Sequence, residues 1–182
     1  KKITCKNNLK QIGLGSINYA SDFNNYMHIN FWNGVQEITW SENLYNNKYI
    51  GNKNVFLCPA QTPNEYTSGY FTYGIRISIP SDSKISVPVS TYYLHLPRVT
   101  AASQFHLYAD TVFVITASNA GMQGYLFSDT SLNGNKGIHL RHPGEQANLW
   151  FVDGHAASQN MLDLKNRGIS IAVNKAWQSV TF

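Results

Sequence analysis

Charge is scarce in this chain, as are cysteine and any long apolar run. Of its 182 residues only 13% are charged, two are cysteine and six are proline. Two cysteines, Cys5 and Cys58, neither in a C-x-x-C pair, are too few for a zinc site on their own. No segment reaches the roughly 20 apolar residues of a membrane-crossing helix, and no signal peptide opens the chain. H-E-x-x-H and G-x-S-x-G are missing, which removes the usual zinc-protease and serine-hydrolase readings. Gly13-Leu14-Gly15 lies inside a helical pattern rather than after a strand, so it is not a phosphate-cradling loop. The formal charge of +4 invites a nucleic-acid partner, but Lys1, Lys2, Lys6 and Lys10 supply all of the excess. The other ten basic residues are balanced by ten acids, so there is no basic docking face and no nucleic-acid partner is expected.

What is present is aromatic and polar. Phenylalanine, tryptophan and tyrosine make up 13% of the chain, against a surface of asparagine, serine, threonine and tyrosine. That balance suits a turn-rich, β-containing domain facing the cell exterior. The length fits one domain, residues 1–182, able to bury a sizeable core.

Residues 2–22 read as an amphipathic helix. Cys5, Leu9, Ile12 and Tyr19 share a face, and Lys2, Lys6 and Lys10 form an adjacent ridge. Gly13 and Gly15 weaken it by roughly 1 kcal/mol each relative to alanine. They mark either a close backbone approach or local flexibility. The segment 22–33 reads as loop, Ser41 as the cap of a short helix to about Tyr49, and Val55-Phe56-Leu57 as a short strand or extended run. Strands are expected over 70–79, 105–109 and 112–117, a loop over 80–88, and no clear element over 119–137. Ala147–Val152 and His155–Ser158 read as a hairpin across a type I′ turn at Asp153-Gly154. A short helix follows over 161–166. One helix and then strands with long connections is an α+β plan, an antiparallel sheet packed on the N-terminal helix.

Three stretches carry a family resemblance. Cys5-Lys6-Asn7-Asn8-Leu9-Lys10-Gln11-Ile12-Gly13-Leu14 is similar to a "C-x-N-N-L-K-Q-I-G-L" helix end, and Val55-Phe56-Leu57-Cys58-Pro59 to a "V-F-x-C-P" landmark. Arg141-His142, Ala147-Asn148, Phe151 and Asp153-Gly154-His155 resemble an "R-H-G-G-x-A-N-x-x-F-x-D-G-H" hairpin. Together they resemble the prepilin-like proteins with an H-X9-DG signature, relatives of the type II secretion major pseudopilin. Ten residues rather than nine separate His142 from Asp153, and Pro143 stands where glycine is usual.

The resemblance implies a leader peptide and a long apolar helix upstream, since the chain opens inside a helical pattern with no N-cap before Ile3. It also implies a non-catalytic subunit of a type II secretion or type IV pilus-like filament. Such a subunit is anchored in the inner membrane, with its globular part in the periplasm or on an extracellular filament. Its partners would be other pseudopilin subunits, met through the upstream helix and the ridge of Lys2, Lys6 and Lys10. In an extracytoplasmic chain Cys5 and Cys58 form either one disulfide or a pair of buried thiols.

Chemistry is sparsely signalled. His139, His142 and His155, two or three of them with Asp153 or Asp129, offer metal-ligand types without ligand spacing, and no catalytic or metal residue is assigned. Arg141 and His142 are read as loop hydrogen-bonders, His155 as a cross-strand partner, and Asp153 and Gly154 as turn residues. Major pseudopilins commonly carry calcium in a C-terminal loop, and the oxygen cluster for it here is Asp129 with Ser128, Thr130 and Ser131. No cofactor is otherwise implied. The alternative function is a membrane-anchored extracytoplasmic module that binds glycan or another ligand through aromatic loops, with Trp32, Trp40 and Tyr66 as stacking candidates for sugars.

Overall fold

The computed structural model describes residues 1–87 and 91–182. Helix α1 (Lys2–Asp22) runs the length of the body and buries Cys5, Leu9, Ile12, Ser16, Tyr19 and Ala20 along one face. Its 21 residues span about 30 Å at 1.5 Å per residue. Two sheets flank it. One has strand order β2 (Glu37–Ile38), β1 (Tyr26–Trp32), β5 (Thr91–His95), β4 (Lys84–Val87), all antiparallel. The other has order β11 (Ala156–Gln159), β10 (Ala147–Phe151), β6 (His106–Ala109), β3 (Gly74–Arg76), β8 (Leu126–Phe127), with only the β3–β8 pair parallel. Smaller pairs join β7 (Thr111–Phe113) to β9 (Lys136–Ile138) and β12 (Ile171–Val173) to β13 (Ser179–Thr181). Helices α2 (Trp40–Asn46) and α3 (Met161–Asn166) are short. The architecture is α+β. No helix among the described residues is long and apolar enough to cross a membrane.

The two glycines of α1 have a steric reason. A Cβ on Gly13 would overlap the Trp150 indole, and one on Gly15 would lie 2.8 Å from Ile50 Cδ1 and 3.1 Å from the Tyr49 carbonyl. Trp150 on β10 therefore lies against the bare backbone of α1. Alternation along β10 sends Trp150 to the core shared with α1 and sends Leu149 and Phe151 to a second core with Leu140, Leu164 and Ile169.

Several elements differ from the sequence reading. The segment read as loop over 22–33 contains β1, whose Met27 and Ile29 are buried, and the loop expected over 80–88 contains β4; Pro88 lies outside the described residues. Helix α2 is capped by Thr39, not Ser41: its hydroxyl accepts from Glu42 N while the Glu42 carboxylate accepts from Thr39 N. Val55 and Phe56 belong to a 3-10 turn (Lys53–Phe56). The strands expected over 70–79 and 112–117 are short, Gly74–Arg76 and Thr111–Phe113.

The hairpin is present with a different turn. Trp150 pairs with Ala156, Gly154 N donates to Phe151 O at 2.9 Å, and Phe151 N donates to His155 O at 2.9 Å. A two-residue type I′ turn would instead pair Phe151 with Ala156. Gly154 alone in the turn is left-handed, at φ +97°, so the connection is a three-residue loop ending in a bulge.

Three consequences can be measured. Gly13→Ala should destabilise the fold by about 1–3 kcal/mol despite the better helix former, because Trp150 must leave its seat; an unchanged or raised melting temperature would refute that packing. A Cβ on Gly154 meets nothing within 4 Å. Gly154→Val should thus cost about 1–2 kcal/mol through backbone strain alone, and a neutral effect would mean the turn rearranges freely. The third concerns pH. His28 is buried with neither ring nitrogen hydrogen-bonded, and burial lowers its pKa to about 4. Burial also lowers His106, against the opposing pull of Asp129. Between pH 6.5 and 4 the unfolded chain takes up protons that folded His28 refuses, so stability falls as pH falls, by up to about 1.4 kcal/mol per pH unit per histidine. Urea titrations across that window should show the decline, shallower in His28→Phe. An identical slope in the variant would clear His28 of the effect.

Candidate functional site

Cys5, one turn into α1, and Cys58, just beyond the 3-10 turn, are joined by a disulfide with Cα atoms 5.0 Å apart. Both are fully buried. Nearby, Asn8 Nδ2 donates to Leu57 O at 2.8 Å and Tyr73 Oη donates to Cys5 O at 3.3 Å. With the bond from Lys2 Nζ to Gln146 Oε1, the start of the helix is thus tied to the body by one covalent bond and three hydrogen bonds. A bridge across 53 residues contributes on the order of 4 kcal/mol in the chain-entropy account.

Against the disulfide stands a buried polar cluster. Asp110, which follows β6, accepts from Asn148 N at 2.6 Å and bonds His142 Nε2 at 2.9 Å through the same oxygen, Oδ2. Its other oxygen, Oδ1, has no hydrogen-bond partner, and Arg141 Nε lies 4.0 Å from it. Arg141 also donates through Nη2 to Thr111 O. Burial pulls the guanidinium below its usual range, and the Asp110 charge opposes that pull. His142 Nε2 is 4.0 Å from Cys58 Sγ. The loop holding His142 is fixed by reciprocal backbone bonds, His142 N to Gln146 O at 2.9 Å and Gln146 N to His142 O at 3.4 Å. The ligating atoms of Cys5, Cys58, Asp110 and His142 all lie within 4.8 Å of one another.

The residues singled out in the sequence separate into two places. Arg141 and His142 sit in the buried cluster, where the His142 ring bonds the Asp110 carboxylate and the Arg141 side chain bonds backbone with its Nε 4.0 Å from that carboxylate. Asp153, Gly154 and His155 form the exposed turn, where His155 Nδ1 and Asp153 Oδ1 are 2.5 Å apart. The five-residue strand β10 lies between them, so His142 and His155 do not converge on a metal. Asp110 carried no motif of its own; its only sequence hint is its place at the end of the apolar run 105–109.

Asp129 is not free for calcium. Its carboxylate meets Arg76 Nη2 at 2.5 Å and His106 Nε2 at 2.8 Å, at the opposite end of β6 from Asp110. The aromatic candidates for glycan stacking are scattered. Trp40 is buried and donates to Tyr125 O at 3.0 Å, Trp32 is exposed near the end of β1, and half-buried Tyr66 lies under Lys53 Nζ at 5.0 Å. A different aromatic groove, of about 400 Å³, opens at the far end of α1 between Tyr19, Phe23, Tyr26 and Tyr93.

The lysine ridge divides too. Lys2 donates to Gln146 Oε1, Lys6 is half-buried and Lys10 is exposed. Ile3, Lys10, Leu14 and Ser21, at spacings of seven, four and seven, form one exposed stripe opposite the core. Ile3 is 72% exposed and Leu14 60%, so among the described residues nothing covers these two side chains on the outer face of α1.

Residues 2–41, which span α1, β1, β2 and the start of α2, match the model of a family described as a protein of unknown function, DUF1559. The match does not extend to the loop carrying His142 or to the hairpin carrying Asp153. No curated protein and no solved structure matches the chain.

Proposed function

We propose that this chain is the globular part of a non-catalytic filament subunit of the pseudopilin kind. In this reading α1 continues upstream into an apolar helix anchored in the inner membrane, and the body lies in the periplasm or on an extracellular filament. The observation that carries it is the condition of α1: stapled at its start, buried along one face, and bare along the other. Scattered exposed apolar side chains are ordinary. Here Ile3 and Leu14 are aligned on one helix, beside Lys10, where a neighbouring subunit would pack. Assembly through a head-to-tail contact that does not close requires such a surface and no active site. The family match, which lies over this helix, supports the same reading.

A second reading, glycan binding, has the aromatic groove in its favour. Its rings are already engaged, however. Tyr19 stacks on Phe23 with centroids 4.3 Å apart, and Tyr26 stacks on His95 at 4.6 Å. A sugar needs a free ring face, and these pairings reduce what the groove offers.

The chain alone should sediment as a monomer at micromolar concentration, because most assembly energy resides in the upstream helix at roughly 25 cal/mol per Å² of apolar surface. Leu14→Asp and Lys10→Glu should change its stability by no more than about 0.5 kcal/mol, being exposed. In the full-length protein the same changes should sharply reduce filament formation in cells. Normal filament yield with both substitutions would remove this helix face from assembly. Tight glycan binding lost in Phe23→Ala would favour the second reading.

A further inference from the structure

We propose that in its dithiol state the chain binds one zinc ion through Cys5, Cys58, His142 and Asp110. The four residues come from α1, the segment before Pro59, the end of β6 and the loop before β10, and none is more than 2% exposed. Two thiolates, an imidazole and a carboxylate form a four-coordinate donor set suited to a thiophilic divalent ion, and unsuited to calcium or magnesium, which take oxygen.

The geometry is close to what a tetrahedral centre needs. Bonds of about 2.3 Å to sulfur and 2.0–2.2 Å to nitrogen and oxygen place ligand atoms roughly 3.2–3.8 Å apart. His142 Nε2 lies 2.9 Å from Asp110 Oδ2 and 4.0 Å from Cys58 Sγ. The sulfurs, now bonded, would separate by the remaining distance once the bridge opens. Asp110 Oδ1 already lacks a hydrogen-bond partner, and the Asn148 N–H holds the carboxylate in place.

Charge also balances. In the disulfide state Asp110 offsets Arg141. Zinc with two thiolates adds no net charge, so a buried site stays neutral in both states. The chemistry is a two-electron reduction followed by metal exchange for protons. A dithiol is oxidised to its own disulfide as Cys5–Cys58 becomes two thiols, and zinc then displaces both thiol protons to solvent. Disulfide and metal are alternative staples for the same two segments. A chain that folds before it meets an oxidant would keep α1 pinned by the ion, and oxidation would release it.

Because both sulfurs are buried, the test starts from unfolded protein. The full chain is reduced in denaturant with a phosphine, which takes oxygen from water to become the phosphine oxide, and is then refolded anaerobically with cobalt(II). The proposal expects one equivalent bound, with a thiolate-to-cobalt charge-transfer band and the visible bands of a tetrahedral ion. Zinc should bleach both, and stoichiometric zinc should give the reduced chain a far-ultraviolet spectrum like that of the oxidised chain. Affinity should fall at least about tenfold in His142→Ala and in Asp110→Asn, and the bands should vanish in Cys5→Ser/Cys58→Ser. Equal affinity in the His142 and Asp110 variants would mean that loose thiols bind the ion, which overturns the site. So would equal binding by the oxidised chain, or a reduced chain that stays unfolded with zinc.

Discussion

The seat of Trp150 on α1 is the contact from which the rest of the structure follows. A helix can approach a strand this closely only where it carries no side chain, and Gly13 supplies that gap. The indole of a central strand then fills it, with Leu9, Ile12 and Tyr108 in the same core. Large aromatic side chains bury more apolar area than any other residue. Setting one against bare backbone fixes the height and rotation of the helix together. Once that rotation is set, Cys5 faces Cys58, Tyr19 faces Tyr49 at 5.4 Å between centroids, and the stripe through Ile3 and Leu14 has to face outward.

Strand β6 shows how polar groups are accommodated in so apolar a body. Each end of it carries a buried arrangement of one carboxylate, one arginine and one histidine: Asp129 with Arg76 and His106, and Asp110 with Arg141 and His142. Burying charge is costly unless it is paired and hydrogen-bonded. The two arrangements are satisfied differently. Asp129 has both oxygens engaged by side chains, whereas Asp110 uses one oxygen for a backbone amide and an imidazole and leaves the other bare. That asymmetry, next to two sulfurs, sets the Asp110 end apart as a place where chemistry can occur. The Asp129 end is a closed structural group of three.

Parts of the frame were legible in the sequence where the local signal is strong, above all the long periodicity of α1. The helix over 2–22, the short helix over 161–166 and the hairpin strand at 147 all rest on patterns that local packing reinforces. Reading failed where tertiary context outweighs local signal. Strand β1 has an alternation of Met27, Ile29 and Phe31 with His28 and Asn30, but the preceding Asn24 and Asn25, both left-handed, read as the start of a long loop. Thr39 with Glu42 is a capping box that the neighbouring Ser41 concealed. At the hairpin, Asp-Gly signalled a turn but not its length, and one extra residue shifts the register by one position. The buried cluster was half legible. Arg141 and His142 stood out by motif, but their partner Asp110 lies 31 and 32 positions away, and no spacing rule links residues that meet only through a sheet.

The position of the staple bears on how a filament subunit would carry load. In the proposed reading, force on the subunit enters α1 from its N-terminal side and has to reach the sheets. A helix held only by apolar packing would pass that force through side chains that yield one after another. With Cys5 bonded to Cys58, the load leaves the helix within its first two turns through a covalent link. It then passes from the Cys58 segment to the sheet through Tyr73 N, which donates to Phe56 O at 2.9 Å just before β3, and from β3 to its neighbour β6. The remaining length of α1 is spared tension and can hold its outer face in a fixed orientation for a neighbour. A helix whose exposed stripe is its working surface gains most from a staple near the end where force arrives.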